Sequence, residues 1–414
     1  MIREIVHCRI CNSANLPLIL DLGAQALTGI FPRSRAEKIP VGPLALVKCL
    51  DCGLVQLKHS YDPGQLYGSN YGYRSGLNNS MLQHLSNKAG FLQKFVRLRK
   101  DDVVVDIGSN DGSMLAFYPE KEVALVGFDP AAEKFKKFYR ADIDLVVDFF
   151  SSSAFQKKFP GKKAKIITSI SMFYDLESPL EFVKQVHSIL ADDGIWHLEQ
   201  SYLPSMLNTN AYDTICHEHL EYYALKQIKW MTDRVGLKII ALEKNDINGG
   251  SFAITVAKSE SHYSECLADI NAMLADELSM GLDDSGLEIF KSFELVIKNQ
   301  RDTLVNLLHQ LKQQKKKVCG YGASTKGNVI LQHCGIDDTL LSCIAEVNSD
   351  KFGSYTPGTQ IPILSEQEVH AMQPDYLLVL PWHFKNSILE REKKFLANGG
   401  KFIFSLPQLE IVAA

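Results

Sequence analysis

The chain has 414 residues, 46% of them hydrophobic, and a formal net charge of −4. Because single domains seldom grow beyond about 250 to 300 residues, this length predicts several folded domains. The net charge argues against a nucleic-acid-binding protein, since such proteins usually carry a basic face. The short basic run Lys315-Lys316-Lys317 ends a helical pattern and indicates a solvated helix end. We therefore expect no nucleic-acid partner.

Secretion and membrane insertion are the next possibilities that the sequence argues against. The first residues do not show the charged and then apolar pattern of a secretory signal, and no apolar stretch approaches membrane-spanning length. We therefore expect a cytoplasmic protein with no membrane partner. In that compartment the nine cysteines are not expected to form a disulfide framework.

Two C-x-x-C pairs stand near the N-terminus, and their members are Cys8, Cys11, Cys49 and Cys52. Two such pairs supply four thiolates, the tetrahedral shell of a structural Zn²⁺ with no open coordination position. Asn12 and Gly53 follow the pairs, where each knuckle must turn. The alternatives are a redox dithiol and unrelated buried cysteines. We expect a zinc domain over residues 1–75, and core positions for Cys216, Cys266, Cys319, Cys334 and Cys343.

Residues 76–260 read as a doubly wound α/β domain. An amphipathic stretch from Met81 predicts a helix that leads into the first strand. The predicted strands are 103–107, 124–128, 145–147, 166–169 and 195–198, and helical segments such as 180–190 separate them. This alternation indicates a parallel sheet. Segments 238–242 and 251–257, joined through Asn248-Gly249-Gly250, predict a closing hairpin.

The first two strands of this domain end in a predicted nucleoside site. A small-residue loop after the first strand lets a ligand approach the backbone, and an acid after the second, Asp129, accepts ribose hydroxyls. An acid, Asp106, precedes the loop glycines and suits a cationic ligand. Dinucleotide sites instead open with G-x-G-x-x-G, whose loop binds an anionic pyrophosphate. S-adenosylmethionine carries a ribose, a sulfonium and an ammonium. An ordinary strand–turn–helix crossover would explain the glycines but not Asp129. The predicted cofactor residues are Asp106, Gly108, Ser109, Asn110, Gly112, Asp129, Pro130, Asp148 and Phe149.

The segment 212–223 concentrates imidazoles, carboxylates and phenols after the fifth strand. Ligands of doubly wound sheets bind beyond the carboxyl ends of the strands, so this loop should overhang the cofactor. Histidine can act as a general base there, and an adjacent carboxylate can orient it. Glu221 stands where the second histidine of the zinc-protease pattern H-E-x-x-H would be, which excludes that pattern. A structural polar cluster is the alternative.

Residues 261–414 predict a helical connector and a second α/β unit. The connector, 261–317, presents an apolar face that either packs within the chain or forms a dimer interface. We favour packing within the chain, and a homo-oligomer stays possible. Gly320 and Gly322 begin a dinucleotide-like turn, but Thr325 replaces the third glycine. Glu346 ends a later strand at the ribose-binding position. With strands 340–347, 376–380 and 401–404, this predicts a nucleotide-sized fold without redox chemistry.

In their order along the chain, these motifs resemble those of the nucleotide-sugar C-methyltransferases. The motifs on which this resemblance rests are the two C-x-x-C pairs, D-x-G-x-x-x-G, His217-Glu218-His219-Leu220-x-Tyr222-Tyr223, Gly249-Gly250-Ser251 and Gly320-Tyr321-Gly322-Ala323-x-x-Lys326-Gly327. The resemblance implies a zinc domain, a class I S-adenosylmethionine domain and a C-terminal Rossmann-like domain that helps to hold a nucleotide sugar. Such enzymes methylate deoxysugars at the carbon beside a 4-keto group.

The resemblance also implies roles for individual residues. It makes His219 the general base that removes the C3 proton, with Glu218 beside it. The chemistry of such a step also needs a donor to the developing oxyanion, for which Tyr222 or Tyr73 is the candidate. The implied substrate residues are Tyr73, His217 and Lys326. Cys216 and Asn248 depart from the family pattern, in which tyrosine and histidine are frequent. Two other readings stay open at this stage: methylation at oxygen or nitrogen of another small metabolite, and a zinc-bearing scaffold without catalysis.

Overall fold

The computed structural model describes residues 2–67, 73–119, 123–283 and 285–414. Sheets of four, seven and six strands organise these residues, and a two-stranded ribbon pairs Arg3–Glu4 with His59–Ser60. The mixture of parallel sheets with helices confirms the predicted α/β class. Within the described part of the chain, no helix is both long and apolar enough to cross a membrane.

The central sheet has seven strands, and its spatial order confirms the predicted doubly wound fold. From edge to edge the strands are Leu237–Asn245, Ser251–Lys258, Leu190–Ser201, Ala164–Ile170, Val103–Ile107, Ala124–Phe128 and Ile143–Val146. Neighbours are parallel, except that Ser251–Lys258 runs antiparallel to the strands on both sides. The closing hairpin is therefore confirmed.

Helices cover both faces of the central sheet. Val103 and Val105 pack into one apolar cluster, while Val104 between them packs into another. Such burial on both faces explains why the strand is apolar without alternation. The helix that leads into this strand begins at Asn79, and the side chain of Asn78 caps it by accepting a hydrogen bond from the Ser80 N–H. The helices of this domain are Asn79–Phe95, Ser152–Lys158, Pro179–Ile189, Leu203–Asn208 and Leu225–Val235.

The N-terminal sheet contains a strand from a distant part of the sequence. Its order is Glu221–Tyr222, Val55–Leu57, Val41–Lys48 and Leu18–Ala26, with every pair antiparallel. The short helix Pro63–Leu66 follows on the chain. The sequence did not predict Glu221–Tyr222 as a strand. Because it belongs to the 212–223 loop, the N-terminal sheet directly holds the segment that carries His219.

The helical connector consists of two helices, Leu267–Ser279 and Glu288–Gln313, instead of one continuous run. The buried face of the second helix presents Phe290, Phe293, Ile297, Leu304, Leu308 and Leu311. These side chains belong to one apolar cluster together with residues of the N-terminal and C-terminal sheets. This face therefore packs within the chain, as favoured from the sequence.

The C-terminal sheet has six strands in the order Ile363–Ser365, Ile344–Glu346, Val318–Tyr321, Tyr376–Val379, Lys401–Phe404 and Glu410–Val412. The first five are parallel and the last is antiparallel. The predicted strand 340–347 is shortened to Ile344–Glu346, and two edge strands were not predicted. The helices of this domain are Thr325–His333, Glu366–Ala371, Lys385–Arg391 and Lys393–Ala397.

The close-packing glycine of this domain is Gly327, two residues later than the dinucleotide pattern places it. A Cβ at Gly327 would lie 2.6 Å from the Cβ of Leu380, so the helix can approach the strand this closely only with glycine there. The close contact is thus made at Gly327 and not at Thr325, where the dinucleotide pattern would place it.

Candidate functional site

The four cysteines of the knuckles meet in one cluster. Their Sγ atoms all lie within 4.8 Å of one another, with separations of 3.6 Å for Cys8 and Cys52 and 3.4 Å for Cys11 and Cys49. A tetrahedral ion with Zn–S bonds of about 2.3 Å separates its thiolates by roughly 3.8 Å. The donor set therefore fits Zn²⁺.

Each knuckle turns at the residue predicted from the sequence. Asn12 and Gly53 have φ values of 63° and 74°, the left-handed region that these residue types tolerate. Their backbone N–H groups donate back to the carbonyls of Cys8 and Cys49, at 3.0 and 2.9 Å. The backbone thus directs both thiols of each pair to the same side.

The predicted cofactor loop has the backbone that a close-fitting ligand site requires. Gly108 and Gly112 have φ values of 75° and 76°. A Cβ at Gly112 would lie 2.9 Å from the ring of Tyr139, so glycine is needed on both conformational and steric grounds. The hydroxyl of Tyr139 bonds with Ser109 Oγ (2.8 Å) and donates to the Asn110 carbonyl (3.0 Å). Tyr139 therefore supports the loop from beneath.

Asp129 closes this loop at the carboxyl edge of the second strand. Its Oδ2 accepts the backbone N–H of Asn110 (2.8 Å), and its Oδ1 accepts that of Ala131 (2.7 Å). Each carboxylate oxygen has a second lone pair for a ligand hydroxyl. Pro130 beside it is half-buried, whereas Asp148 and Phe149, after the third strand, are exposed, Phe149 by 52%. Binding of a nucleoside by these side chains stays a prediction.

Asp106 is buried beneath the loop and accepts a hydrogen bond from Thr168 Oγ1 at 2.6 Å. Desolvation raises the pKa of Asp106 to about 7, against the opposing effect of Thr168. A bound cation would favour the ionised form. Asp106 is thus a carboxyl group that becomes charged near neutral pH, at the position predicted for a cationic ligand.

Tyr73 lies over the cofactor loop through its backbone. Its carbonyl accepts a hydrogen bond from Asn110 Nδ2 (3.1 Å), and the Asn110 Oδ1 accepts the N–H of Ser75 (3.0 Å). The ring of Tyr73 is about half exposed. The structure therefore brings Tyr73 to the predicted cofactor loop, and its contact with a substrate stays a prediction.

His219 is oriented by a backbone carbonyl. Its Nδ1 lies 2.8 Å from the Thr214 oxygen, and because a carbonyl only accepts, Nδ1 carries the proton and Nε2 keeps its lone pair. The ring packs on Tyr174 with centroids 4.2 Å apart. Burial, and then the nearby Lys326 cation, lower the pKa of His219 to about 3. The imidazole is therefore neutral throughout the physiological range.

The neighbours of His219 in sequence point elsewhere. Glu218 Oε2 accepts a hydrogen bond from Thr28 Oγ1 (3.4 Å), so the carboxylate expected to orient His219 is directed toward the N-terminal region. His217 is fully buried, with Nε2 3.3 Å from the Gly42 carbonyl and its ring edge-on to Tyr61. The structure does not bring His217 to the His219 cavity, and Glu218 as a catalytic group stays a prediction.

A narrow cavity, with room for about one water molecule, adjoins His219 and Tyr222. Its other lining residues are Tyr174, Ser201, Tyr202, Leu203, Met206, Thr214 and Glu221. Burial raises the pKa of Tyr222 well above its ordinary value, so the phenol keeps its proton and can donate it in a hydrogen bond. The structure thus brings together the predicted base and the predicted oxyanion donor.

Lys326 reaches this region from the C-terminal domain. Its Nζ donates to the Asn248 carbonyl at 2.7 Å, and Asn248 adopts a left-handed φ of 56°. Desolvation lowers the pKa of Lys326, and the buried Asp213 carboxyl opposes that effect. Asp213 in turn accepts a hydrogen bond from Trp382 Nε1 (2.9 Å). Lys326 can supply further N–H donors to an anionic ligand atom.

The dinucleotide-like turn of the C-terminal domain packs closely on another part of the chain. A Cβ at Gly322 would lie 2.7 Å from the ring of Pro381. The Glu346 carboxylate accepts N–H groups from Ala323, Val347 and Asn348 at 2.8 to 2.9 Å. Three backbone donors thus hold the acid expected at the ribose position, two on Oε1 and one on Oε2. A ligand contact of Glu346, like that of Lys326, stays a prediction.

Models of three domain families match this chain in order. "Putative zinc binding domain" matches residues 8–67, "Methyltransferase domain" matches 81–242, and "C-methyltransferase C-terminal domain" matches 246–407. The C-methyltransferase NovU of Streptomyces niveus is 28% identical over 417 aligned positions, which cover 100% of this chain and 98% of that protein. Over its whole length this chain is similar to a C-methyltransferase. It is accordingly an S-adenosylmethionine-dependent enzyme with a zinc-binding N-terminal domain, and not a scaffold without catalysis.

More distant similarities are limited to part of the chain. A tRNA U34 carboxymethyltransferase of Campylobacter lari is 27% identical over 128 residues, 28% of this chain and 41% of that protein. The plantazolicin methyltransferase BamL, solved with S-adenosylhomocysteine, is 13% identical, with a TM-score of 0.36 over 44% of this chain and 87% of its own. LepI, also solved with S-adenosylhomocysteine, is 15% identical, with a TM-score of 0.33 over 40% and 46%.

Sequence reasoning missed three residues that shape the site of this C-methyltransferase. Thr168 is paired in register with Asp106 on the neighbouring strand, so the two predicted strands could have revealed it. Tyr174, which stacks on His219, follows the carboxyl end of that same strand. Thr214 acts through its carbonyl, which leaves no signal in side-chain chemistry.

Asp106 predicts a pH-dependent affinity for the cofactor. The carboxyl group is ionised above pH 7 and protonated below it, so the affinity for the cationic S-adenosylmethionine should fall as the pH falls. Between pH 7.5 and pH 5.5 the dissociation constant should rise about twentyfold. Calorimetry checks this, with Asp106→Asn as the matched variant whose weaker binding should not vary over that range. A wild-type dissociation constant that is constant with pH would contradict the assignment.

Proposed function

We propose that this C-methyltransferase methylates C3 of a nucleotide-linked 4-keto deoxysugar, and that His219 removes the C3 proton. Methylation at carbon requires a carbon nucleophile, which a ketone can provide by acidifying the neighbouring C–H bond. An enzyme for this reaction therefore needs a base and a group that stabilises an enolate oxygen. The observation that carries the proposal is the free Nε2 of His219, fixed at a cavity by the Thr214 carbonyl.

The low pKa of His219 has two consequences for this step. The base form is present at every working pH, because protonation in the free enzyme occurs only at about 3. Accepting the C3 proton creates an imidazolium near the Lys326 cation, which is unfavourable in isolation. The enolate oxygen that forms in the same step carries one negative charge, which offsets the new imidazolium charge, and Lys326 or Tyr222 can donate to it. Base and oxyanion donor thus act as a unit.

The predicted cofactor residues fit S-adenosylmethionine, which supplies the electrophilic methyl group when bound. Asp129 offers two carboxylate oxygens for ribose hydroxyls, and Asp106 offers a buried charge for the cationic end. The Gly108–Gly112 turn lets the ligand approach the backbone. The chain's remaining contribution is to exclude water around His219 and to hold the reacting carbon near van der Waals contact.

The nucleotide part of the proposal rests on Lys326 and on similarity to a C-methyltransferase along the whole chain. The ribose-position acid Glu346 is compatible with it, because its Oε2 accepts one backbone N–H and keeps a second lone pair for a ligand hydroxyl. A sugar linked to a diphosphate would bring negative charge to the junction at which Lys326 contacts Asn248. The proposal therefore predicts that a free keto sugar binds more weakly than its nucleotide form.

A substrate panel tests the proposed function. dTDP-, GDP- and CDP-linked 4-keto deoxysugars are incubated with S-adenosylmethionine, and the products are analysed by mass spectrometry and proton NMR. One of them should gain a single methyl group bonded to C3, visible as a new methyl signal without a neighbouring proton on that carbon. A methyl group on oxygen or nitrogen would contradict the proposal, as would turnover of the free sugar with equal kcat/KM.

A further inference from the structure

The zinc knuckle and the catalytic loop share a buried ion pair. Arg9 stands between Cys8 and Cys11, and its side chain is only 2% exposed. Its Nε lies 3.6 Å from Oε1 of Glu221, whose side chain is 0% exposed. Glu221 is two residues beyond His219. One side chain therefore connects the loop that holds the metal thiolates with the loop that holds the proposed base.

Arg9 is fixed to the N-terminal sheet by several hydrogen bonds, whereas its contact with Glu221 is an ion pair without a hydrogen bond. Its Nη1 donates to the Leu57 carbonyl at 2.8 Å, and its Nη2 donates to Ser60 Oγ at 2.9 Å. Gln56 Oε1 accepts from both the Arg9 backbone N–H (3.1 Å) and Nη1 (3.3 Å). A guanidinium held at this many points has little freedom to move, so it presents Nε to Glu221 in one direction.

The backbone around Glu221 is fixed to the same sheet. Glu221 pairs with Gln56 in the strand register, and the Leu57 N–H donates to the Leu220 carbonyl at 2.8 Å. The Leu220 N–H donates to the Tyr174 carbonyl at 2.7 Å, and the Tyr174 ring packs on His219. A displacement of Glu221 would therefore displace His219 both along the chain and through Tyr174.

Burial without a partner would be costly for either charge. Desolvation raises the pKa of Glu221 well above its ordinary value, and the charge of Arg9 opposes that shift. Glu177 is a second carboxylate near Arg9, 3.9 Å from Nε, but its side chain is 34% exposed and also binds Arg3. The fully buried member of the group is Glu221, so Arg9 matters most to the loop that carries His219.

We propose that Arg9 is a positioning residue for catalysis: through Glu221 it transmits the geometry of the metal-bound knuckle to His219. The zinc-binding domain would then set the catalytic competence of the base as well as stabilise its own fold. This inference rests on the proposed function, because it assumes that His219 is the base. It assigns to Arg9 no contact with substrate or cofactor.

The test compares Arg9→Gln with Arg9→Lys in the full-length, zinc-loaded protein. Arg9→Gln should lower the rate at which the 4-keto substrate exchanges its C3 hydrogen by roughly a hundredfold, as expected when a catalytic group is displaced. Zinc content and affinity for S-adenosylhomocysteine should stay at wild-type values, and Arg9→Lys should recover part of the rate. Arg3→Gln is the matched control, because Arg3 also contacts Glu177 but is 70% exposed, and it should behave as wild type.

A second readout does not depend on activity. In zinc-loaded Arg9→Gln, amide hydrogen exchange in residues 215–223 should be about tenfold faster than in wild type, while residues 103–108 keep their protection. Adding Glu221→Gln to Arg9→Gln should cause no further loss of activity, because both changes break the same link. If Arg9→Gln alone does not fold, the double variant can be measured in its place, because removing both charges leaves no unpaired buried charge.

Three outcomes would overturn the inference: loss of zinc in Arg9→Gln, wild-type amide exchange in residues 215–223, or additive effects of the two substitutions. Failure of the proposed function looks different. If His219→Asn retains full C3 exchange, the base has been misassigned. If His219→Asn abolishes exchange and Arg9→Gln does not slow it, the base is correct and Arg9 does not position it.

Discussion

Replacing His219 by asparagine should lower both C3 hydrogen exchange and methylation by roughly a hundred- to ten-thousandfold, the usual contribution of a general base. Asparagine keeps the approximate shape of the side chain but cannot take up the proton. Exchange is measured by NMR in heavy water, with S-adenosylhomocysteine in place of the methyl donor. Deprotonation needs no methyl group, so this assay isolates the step in which His219 acts.

The matched control for this variant lies one residue away. Glu218→Gln changes a carboxylate that contacts Thr28, so it should reduce exchange far less than His219→Asn. Neither change should alter the affinity for S-adenosylhomocysteine. At saturating cofactor, wild-type exchange should be nearly constant from pH 8 to pH 6, because the pKa of His219 is held at about 3. Normal exchange without methylation in His219→Asn would show that His219 positions the substrate and that another group takes the proton.

The second large effect is expected at the metal cluster. Cys49→Ser should abolish zinc binding, because one of four thiolates is removed and the apparent binding free energy of structural zinc, about 10 to 16 kcal/mol in small domains, is coupled to folding. The wild type should contain one zinc ion per chain by elemental analysis. Thermal unfolding of Cys49→Ser should begin at a lower temperature and involve the N-terminal region first.

Cys266→Ser is the control for that experiment. Cys266 is a free thiol outside the cluster, half-buried beside the Ile239 carbonyl, so its replacement should leave the zinc content unchanged. Well-folded wild-type protein without zinc would contradict the assignment of the four cysteines. Loss of zinc from both variants would indicate that the metal responds to general destabilisation.

The parts of the fold that the sequence predicted are those in which local pattern and final environment agree. Val103–Ile107 is apolar at nearly every position because helices cover both of its faces, and such a run is visible without knowing its partners. Asn12 and Gly53 likewise show in the sequence the backbone turn that they make in the structure. In these cases the residue type itself carries the conformational requirement.

The missed features depend on partners that are remote in sequence. Glu221–Tyr222 is a strand only because Val55–Leu57 lies beside it, and two residues are too few to produce a pattern. The orienting group of His219 is a carbonyl, which every residue possesses. Glu218 was the natural candidate for that role, since adjacency in sequence suggested proximity. The loop directs it toward Thr28 instead, because residues 216–219 form a turn that the His219 N–H closes on the Cys216 carbonyl.

The contact between Gly322 and Pro381 gives this glycine a reason that does not involve a ligand. A Cβ at Gly322 would lie 2.7 Å from the Pro381 ring, and Gly322 has a φ of 82°. Glycine would therefore be required here by packing and backbone conformation even if no ligand entered the turn. A glycine turn in such a sheet is consequently a poor guide, by itself, to what the domain binds.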